Sequence, residues 1–142
     1  MKVLFDTNIL ISYLLQKDKN NTITAIFEAG IEKKYILLLP EEILKEFKEK
    51  LIKKKYLIKY ISLPEAKEFI EILSTISEAI PQITEEIPLI VRDKKDDYLI
   101  AYGTVGNADY LVSGDKDLQV LKKIGKLKIV SPIEFLTLLR RL

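Results

Sequence analysis

The chain alternates short continuous apolar runs with longer stretches of helical periodicity. Val3-Leu-Phe5 and Tyr35-Ile-Leu-Leu-Leu39 read as buried strands, which show no alternation, and Leu89-Ile-Val91, Tyr110-Leu-Val112 and Leu127 to Val130 as further short strands. Between them, apolar residues recur at three- and four-residue spacing. Helices are predicted over Ile9–Leu15, Ile23–Ala29 (closed by Gly30), Glu41 to about Lys54, Ser62 to Ile80, Tyr98 to about Val105, Leu118 to about Ile124, and from Pro132 to the end. The Gly103 and Gly106 pair falls where the Tyr98 helix should close. Strands that alternate with helices predict an α/β fold of three layers, α/β/α, around a central mostly parallel sheet. The helical stretch between strands 2 and 3, roughly Glu41 to Ile80, is an insertion in that order. With 142 residues, 48% of them hydrophobic, one domain over 1–142 is expected.

Composition narrows the chemistry. Without cysteine there are no disulfides and no thiolate metal sites, in keeping with a reducing cytoplasm. Without histidine there is no Ser-His-Asp triad and no imidazole ligand. Carboxylates are the acid/base groups that remain, and a hard, oxygen-liking cation such as Mg²⁺ or Mn²⁺ is the metal they would take. The N-terminus opens on a strand with no leader pattern, and no apolar run reaches the ~20 residues of a membrane span. A cytoplasmic protein is therefore expected. Richness in Ile, Lys and Glu leans toward a thermophile.

Acidic residues recur at one architectural address. Asp6 follows the first strand, Asp96 and Asp97 open the helix reached from the third, and Asp115 and Asp117 follow the fourth. In a parallel sheet these positions share the carboxyl rim, where ligands bind. Glu46 borders the apolar stripe of the helix that leaves the same rim after strand 2. Helix N-termini attract Asp in any protein, and that alone explains Asp96, Asp97 and Asp115 one at a time. It does not explain three successive strand ends, and it leaves Glu46 aside. Clustered carboxylates repel one another unless a cation neutralises them.

Four blocks carry a resemblance: Asp6-Thr7-Asn8; Glu46 within Glu41-Glu-Ile-Leu-Lys-Glu46-Phe; Arg92-Asp-Lys-Lys-Asp96-Asp97-Tyr-Leu-Ile-Ala101; and Ala108-Asp-Tyr-Leu-Val-Ser113-Gly-Asp115-Lys-Asp117-Leu. In this order, from Lys2 to about Leu136, the chain resembles the PIN-domain family, and most of all its VapC-like branch of toxin ribonucleases. The resemblance implies a PIN-like (5′-nuclease-like) fold and a Mg²⁺- or Mn²⁺-dependent endoribonuclease. It implies Asp6, Glu46, Asp96 and Asp115 as the catalytic acids. The metal would be held by Asp6, Asp96, Asp97, Asp115 and Asp117. Thr7, Asn8 and Ser113 would support them. Subfamily patterns place the third acid at either Asp96 or Asp97, and Asp96 fits the Asp-x-x-Asp reading of this branch. RNA, a cognate antitoxin protein and a second copy of the chain are the implied partners.

A basic stretch of Lys48, Lys50, Lys53, Lys54, Lys55 and Lys59, with Arg92 and Lys116 elsewhere, offers phosphate contacts, although a solvated helix end explains the run better. Two other readings stand beside the nuclease. One is a PIN-like module that binds RNA or protein without cutting. The other is an aspartyl-phosphate domain of receiver or haloacid-dehalogenase type with Asp6 as nucleophile, although Asn8 stands where the dehalogenase motif needs a second Asp.

Overall fold

The computed structural model describes residues 1–15, 21–53, 59–81, 83 and 94–142, without the side chains of 94–96. Among these residues the elements run β1 (Lys2–Phe5), α1 (Thr7–Leu15), α2 (Thr22–Ile31), β2 (Ile36–Pro40), α3 (Glu41–Lys53), α4 (Leu63–Ile76), β3 (Ser77–Ile80), α5 (Lys94–Val105), β4 (Tyr110–Val112), α6 (Lys116–Gln119), β5 (Lys123–Ile124), β6 (Leu127–Val130) and α7 (Pro132–Arg140). The strands form one sheet in the order β3-β2-β1-β4-β6-β5, parallel except for β5. The chain builds outward from β1 to β3, then returns to place β4 on the other side of β1. That reversal leaves a crevice beyond the carboxyl ends of β1 and β4, the switch point at which open α/β sheets take their ligands.

Helices cover both faces. Phe5 points to the face under α2 and α7 and meets the rings of Phe27, Tyr35 and Phe135 at centroid distances of 5.4, 5.9 and 6.3 Å. On the other face α5 packs so closely that its glycines are needed for space. A Cβ on Gly103 would come 2.8 Å from Leu127, and one on Gly106 would come 2.7 Å from Ile80 and 2.9 Å from Leu38. The helical insertion between β2 and β3 is held to α1 and α2 by rings: Tyr13 stacks on Phe69 at 5.0 Å, and Phe27 meets Phe69 edge-on at 5.6 Å.

Several expectations are corrected. The helix predicted to run on to Ile80 stops at Ile76, and Ser77–Ile80 pairs with β2 as the edge strand. Ile76 and Ile80 keep helical spacing, but an edge strand covered on one side needs few apolar residues and gives a weak signal. Leu89–Val91, the strand expected there, lies outside the described residues. The helix over Leu118–Ile124 is instead α6 followed by a hairpin, because Lys122 adopts φ 57° and Gly125 takes φ 57° in the two-residue turn between Ile124 and Leu127. Gly30 does not close α2. It lies inside the helix because a Cβ there would meet the Tyr35 hydroxyl at 2.9 Å, and Lys33 supplies the left-handed residue. Gly103 and Gly106 likewise serve close packing, while Asn107 takes φ 57°. Helix α5 begins four residues earlier than expected, which puts Asp96 and Asp97 inside its first turn.

Candidate functional site

Both arms of the switch point are pinned to the sheet past the last paired residue of their strands. The Asp6 amide donates to the Val112 carbonyl at 3.1 Å, and the Ser113 amide donates to the Val130 carbonyl at 3.0 Å. The loops after β1 and β4 therefore start in fixed positions. This brings a serine hydroxyl onto a carboxylate far away in sequence. Ser113 Oγ donates to Asp6 Oδ2 at 2.9 Å and accepts from the Asp115 amide at 3.0 Å. Asp115 caps α6, with its Oδ1 taking the Asp117 amide at 2.9 Å. Gln119, which nothing in the sequence singles out, donates to the Ser113 carbonyl at 2.7 Å and closes this loop from the helix side.

The second arm starts at Thr7. Its buried hydroxyl donates to Glu46 Oε2 at 3.0 Å, which ties α3 to the end of β1. Lys50, one helical turn on, reaches back. Its ammonium lies 3.3 Å from Glu46 Oε1 and donates to Asn8 Oδ1 at 3.3 Å. The sequence places Lys50 in a basic stretch read as solvent-facing or phosphate-tracking. Its spacing of four from Glu46 is the one sequence signal for the ion pair.

Asp6 is 9% exposed. Burial pushes its pKa above the usual Asp value. The hydrogen bonds from Ser113 and the Asn8 amide and the charge of Lys50 pull it down, and Glu46 pushes it up. Asp97 is 2% exposed in the first turn of α5. Thus Asp6, Thr7, Asn8, Glu46, Ser113, Asp115 and Asp117 form one connected set. Lys53 and Lys116 are exposed, at the end of α3 and the start of α6. The side chain of Asp96, with Lys54, Lys55 and Arg92, lies outside the described residues.

Grooves open on either side of this set. One, of about 330 Å³, runs along α3 past Glu42, Glu46 and Tyr98. The other, of about 430 Å³, passes Asn8, Ser12 and Asp115. A family model for the PIN domain matches residues 2–117, a span that contains every acidic residue of the set. The chain belongs to the PIN-domain family. No curated protein matches it significantly. Among solved structures it is similar in fold to a chain of VapBC2 from Rickettsia felis, determined bound to a DNA fragment from their promoter. The TM-score is 0.63, with 18% identity over 92% of this chain and 98% of that one.

PIN domains are in general nucleases that use divalent metal ions. The donor set of this PIN domain suits such an ion, being all oxygen. Among the described residues no three acidic side chains close on one point. Mg²⁺ does not need three, since it commonly keeps several waters and takes one or two carboxylates. No described helix of this PIN domain is long and apolar enough to cross a membrane.

Proposed function

We propose that this PIN domain is a Mg²⁺- or Mn²⁺-dependent endoribonuclease, the toxin of a toxin–antitoxin pair, with an antitoxin protein as its partner. The observation that carries the reading is the hydrogen-bonded set joining Asp6, Ser113 and Asp115 at the switch point, with Glu46 fastened beside it through Thr7. Asp6 and Asp115, with an acid from the Asp96–Asp97 pair, would hold the metal, and Asp117 would assist. A metal bound there supplies Lewis-acid stabilisation of the scissile phosphate and lowers the pKa of water.

The protein's own groups do the rest. The Ser113 hydroxyl fixes the orientation of the Asp6 carboxylate and favours its charged form, in opposition to the larger effect of burial. Thr7 holds one oxygen of Glu46 and Lys50 the other, which fixes the carboxylate beside the groove as a candidate to take a proton from the attacking water. Lys50 sets positive charge at the rim where a phosphodiester would lie. Hydrolysis in this sense leaves a 5′-phosphate and a 3′-hydroxyl.

The test is cleavage of a mixed pool of structured and single-stranded RNAs with Mg²⁺, Mn²⁺ or EDTA. Metal-dependent cutting that EDTA abolishes is expected. Cutting that persists in EDTA overturns the metal dependence, and no cutting with either ion overturns the reading in favour of a binding module. A finer prediction concerns Ser113→Ala. Removing the donor that orients a metal-binding carboxylate is expected to lower kcat/KM by about 10–100-fold. Because the Ser113 bond pulls the Asp6 pKa down, its loss should also move the acid limb of the pH–rate profile upward. An unchanged profile would show that Ser113 does not act through Asp6.

A further inference from the structure

The chain pays for a cluster of lysines that its fold does not need. Lys116 opens α6, Lys122 and Lys123 lead into β5, and Lys128 lies on β6; all four line one groove of about 640 Å³. Three features set this groove apart from ordinary basic surface. Lys123 stands directly opposite Lys128 in the antiparallel β5–β6 pair, and like charges facing each other across strands destabilise a sheet. Lys122 holds φ 57°, a left-handed conformation that Gly or Asn would adopt more easily. Among the described residues none of the four ammonium groups has an ion-pair partner, whereas the nearby Lys126 is paired with Asp109 at 3.4 Å. Glu134, the acid that lines the groove, is committed elsewhere. Its Oε1 accepts from the Ser131 amide at 3.0 Å in the capping box of α7.

A simpler reading is that lysines guard an edge strand against pairing with another chain. That accounts for Lys123 on β5. It does not account for Lys128, because β6 is paired on both sides, to β4 and β5. Nor does it account for Lys116, which belongs to no strand and directly follows Asp115.

We infer that this groove is the track on which the phosphate backbone of a single-stranded RNA lies as it leaves the acidic site. The inference rests on the ribonuclease reading and extends it to where the substrate binds. Lys116, which lines the groove, directly follows Asp115, so the groove adjoins the acidic set. No aromatic side chain lines it, and its apolar surface comes from Val120, Ile129 and Val130. Base stacking is therefore not its mode of binding, and contacts to phosphates make it indifferent to sequence.

The experiment measures fluorescence anisotropy of a labelled single-stranded RNA of scrambled sequence with the full chain in EDTA, across a range of salt. The wild type is compared with the Lys122→Gln, Lys123→Gln, Lys128→Gln triple variant, and with the same three positions changed to Arg. Each lost phosphate contact removes about 0.7 from the slope of log K against log salt for single strands, so the Gln variant should be shallower by about 2. It should bind at least about 10-fold more weakly at low salt, and the Arg variant should bind as the wild type does. The Gln variant should melt no lower than the wild type, since it removes a like-charge pair. If the Gln variant keeps the wild-type slope while the wild type cleaves RNA with metal, the track is overturned and the nuclease stands. If the wild type neither binds nor cleaves RNA, the ribonuclease reading fails and the track fails with it. Loss of binding by both the Gln and Arg variants means the positions matter through shape, and this too overturns a backbone track.

Discussion

Asp6→Asn should abolish metal-dependent cleavage, by at least about 10³-fold, since it removes a charge that acts on the reacting centre in a partly desolvated site. The same change should raise the melting temperature of the metal-free chain at neutral pH. Burial is the largest influence on Asp6, and it lifts the folded-state pKa above the unfolded value. The folded chain therefore binds more protons than the unfolded chain in the window between those two values. Stability falls as pH rises through that window, and above it the ionised carboxylate is a standing cost to the fold. Asn carries no charge, and the Ser113 hydroxyl can turn to suit it. The expected result is a higher melting temperature at pH 7. The gain should disappear in acid, below both pKa values, where Asp6 is protonated in either state. Scanning calorimetry at pH 7 and pH 3 with wild type and variant settles it. A variant that cuts at the wild-type rate would remove Asp6 from the mechanism. One that melts lower at pH 7 would show that its hydrogen bonds outweigh its charge.

Phe135→Ala should have the largest effect on stability. The ring is fully buried and meets Tyr35 at 5.2 Å, Tyr110 at 6.2 Å and Phe5 at 6.3 Å. It is the point at which the closing helix is fastened to strands β1 and β4. Truncating a buried Phe to Ala costs about 3–5 kcal/mol, made up of lost transfer energy and the cavity left behind. The melting temperature should fall by roughly 10 °C. Ile133→Ala on the same helix, at a side chain 69% exposed, should change stability by less than about 0.5 kcal/mol. Equal losses from the two changes would mean that α7 does not anchor through its aromatic face. The effect also reaches function. Phe5 immediately precedes Asp6, so a cavity beside Phe5 loosens the seat of the carboxylate.

The sequence made the fold legible where elements are long or buried on both faces. Strands β1, β2 and β4 announce themselves as apolar runs, β6 as a short run interrupted by Lys128, and α3 as an amphipathic stripe. The sequence is nearly silent at β3, whose four residues include Ser77 and Glu78, because one edge and part of one face are left to solvent. It is silent at β5, which is two residues long and set by the backbone of Lys122 and Gly125. Of the candidate site, Asp6, Asp115 and Glu46 were legible because acids at successive strand ends need an explanation. Their connections were not. That Thr7 holds Glu46, that Ser113 serves Asp6 and Asp115 at once, and that Lys50 turns inward are consequences of register and rotamer, which no local pattern encodes. The lysines of the β5–β6 groove were hidden for the same reason, since their opposition exists only once the hairpin is formed.

The two amides that reach past their strand ends, from Asp6 to Val112 and from Ser113 to Val130, have a consequence for control. Proteins often switch a site by letting its loop melt locally at little cost. Here the backbone of both reactive loops is stitched into the middle of the sheet, and parting Asp6 from Ser113 means separating central strands. Local fraying cannot disarm such a site. On the toxin reading proposed above, an antitoxin would act from outside, as a stopper does, by filling the mouth of the crevice or cancelling its charge while the framework beneath stays unchanged.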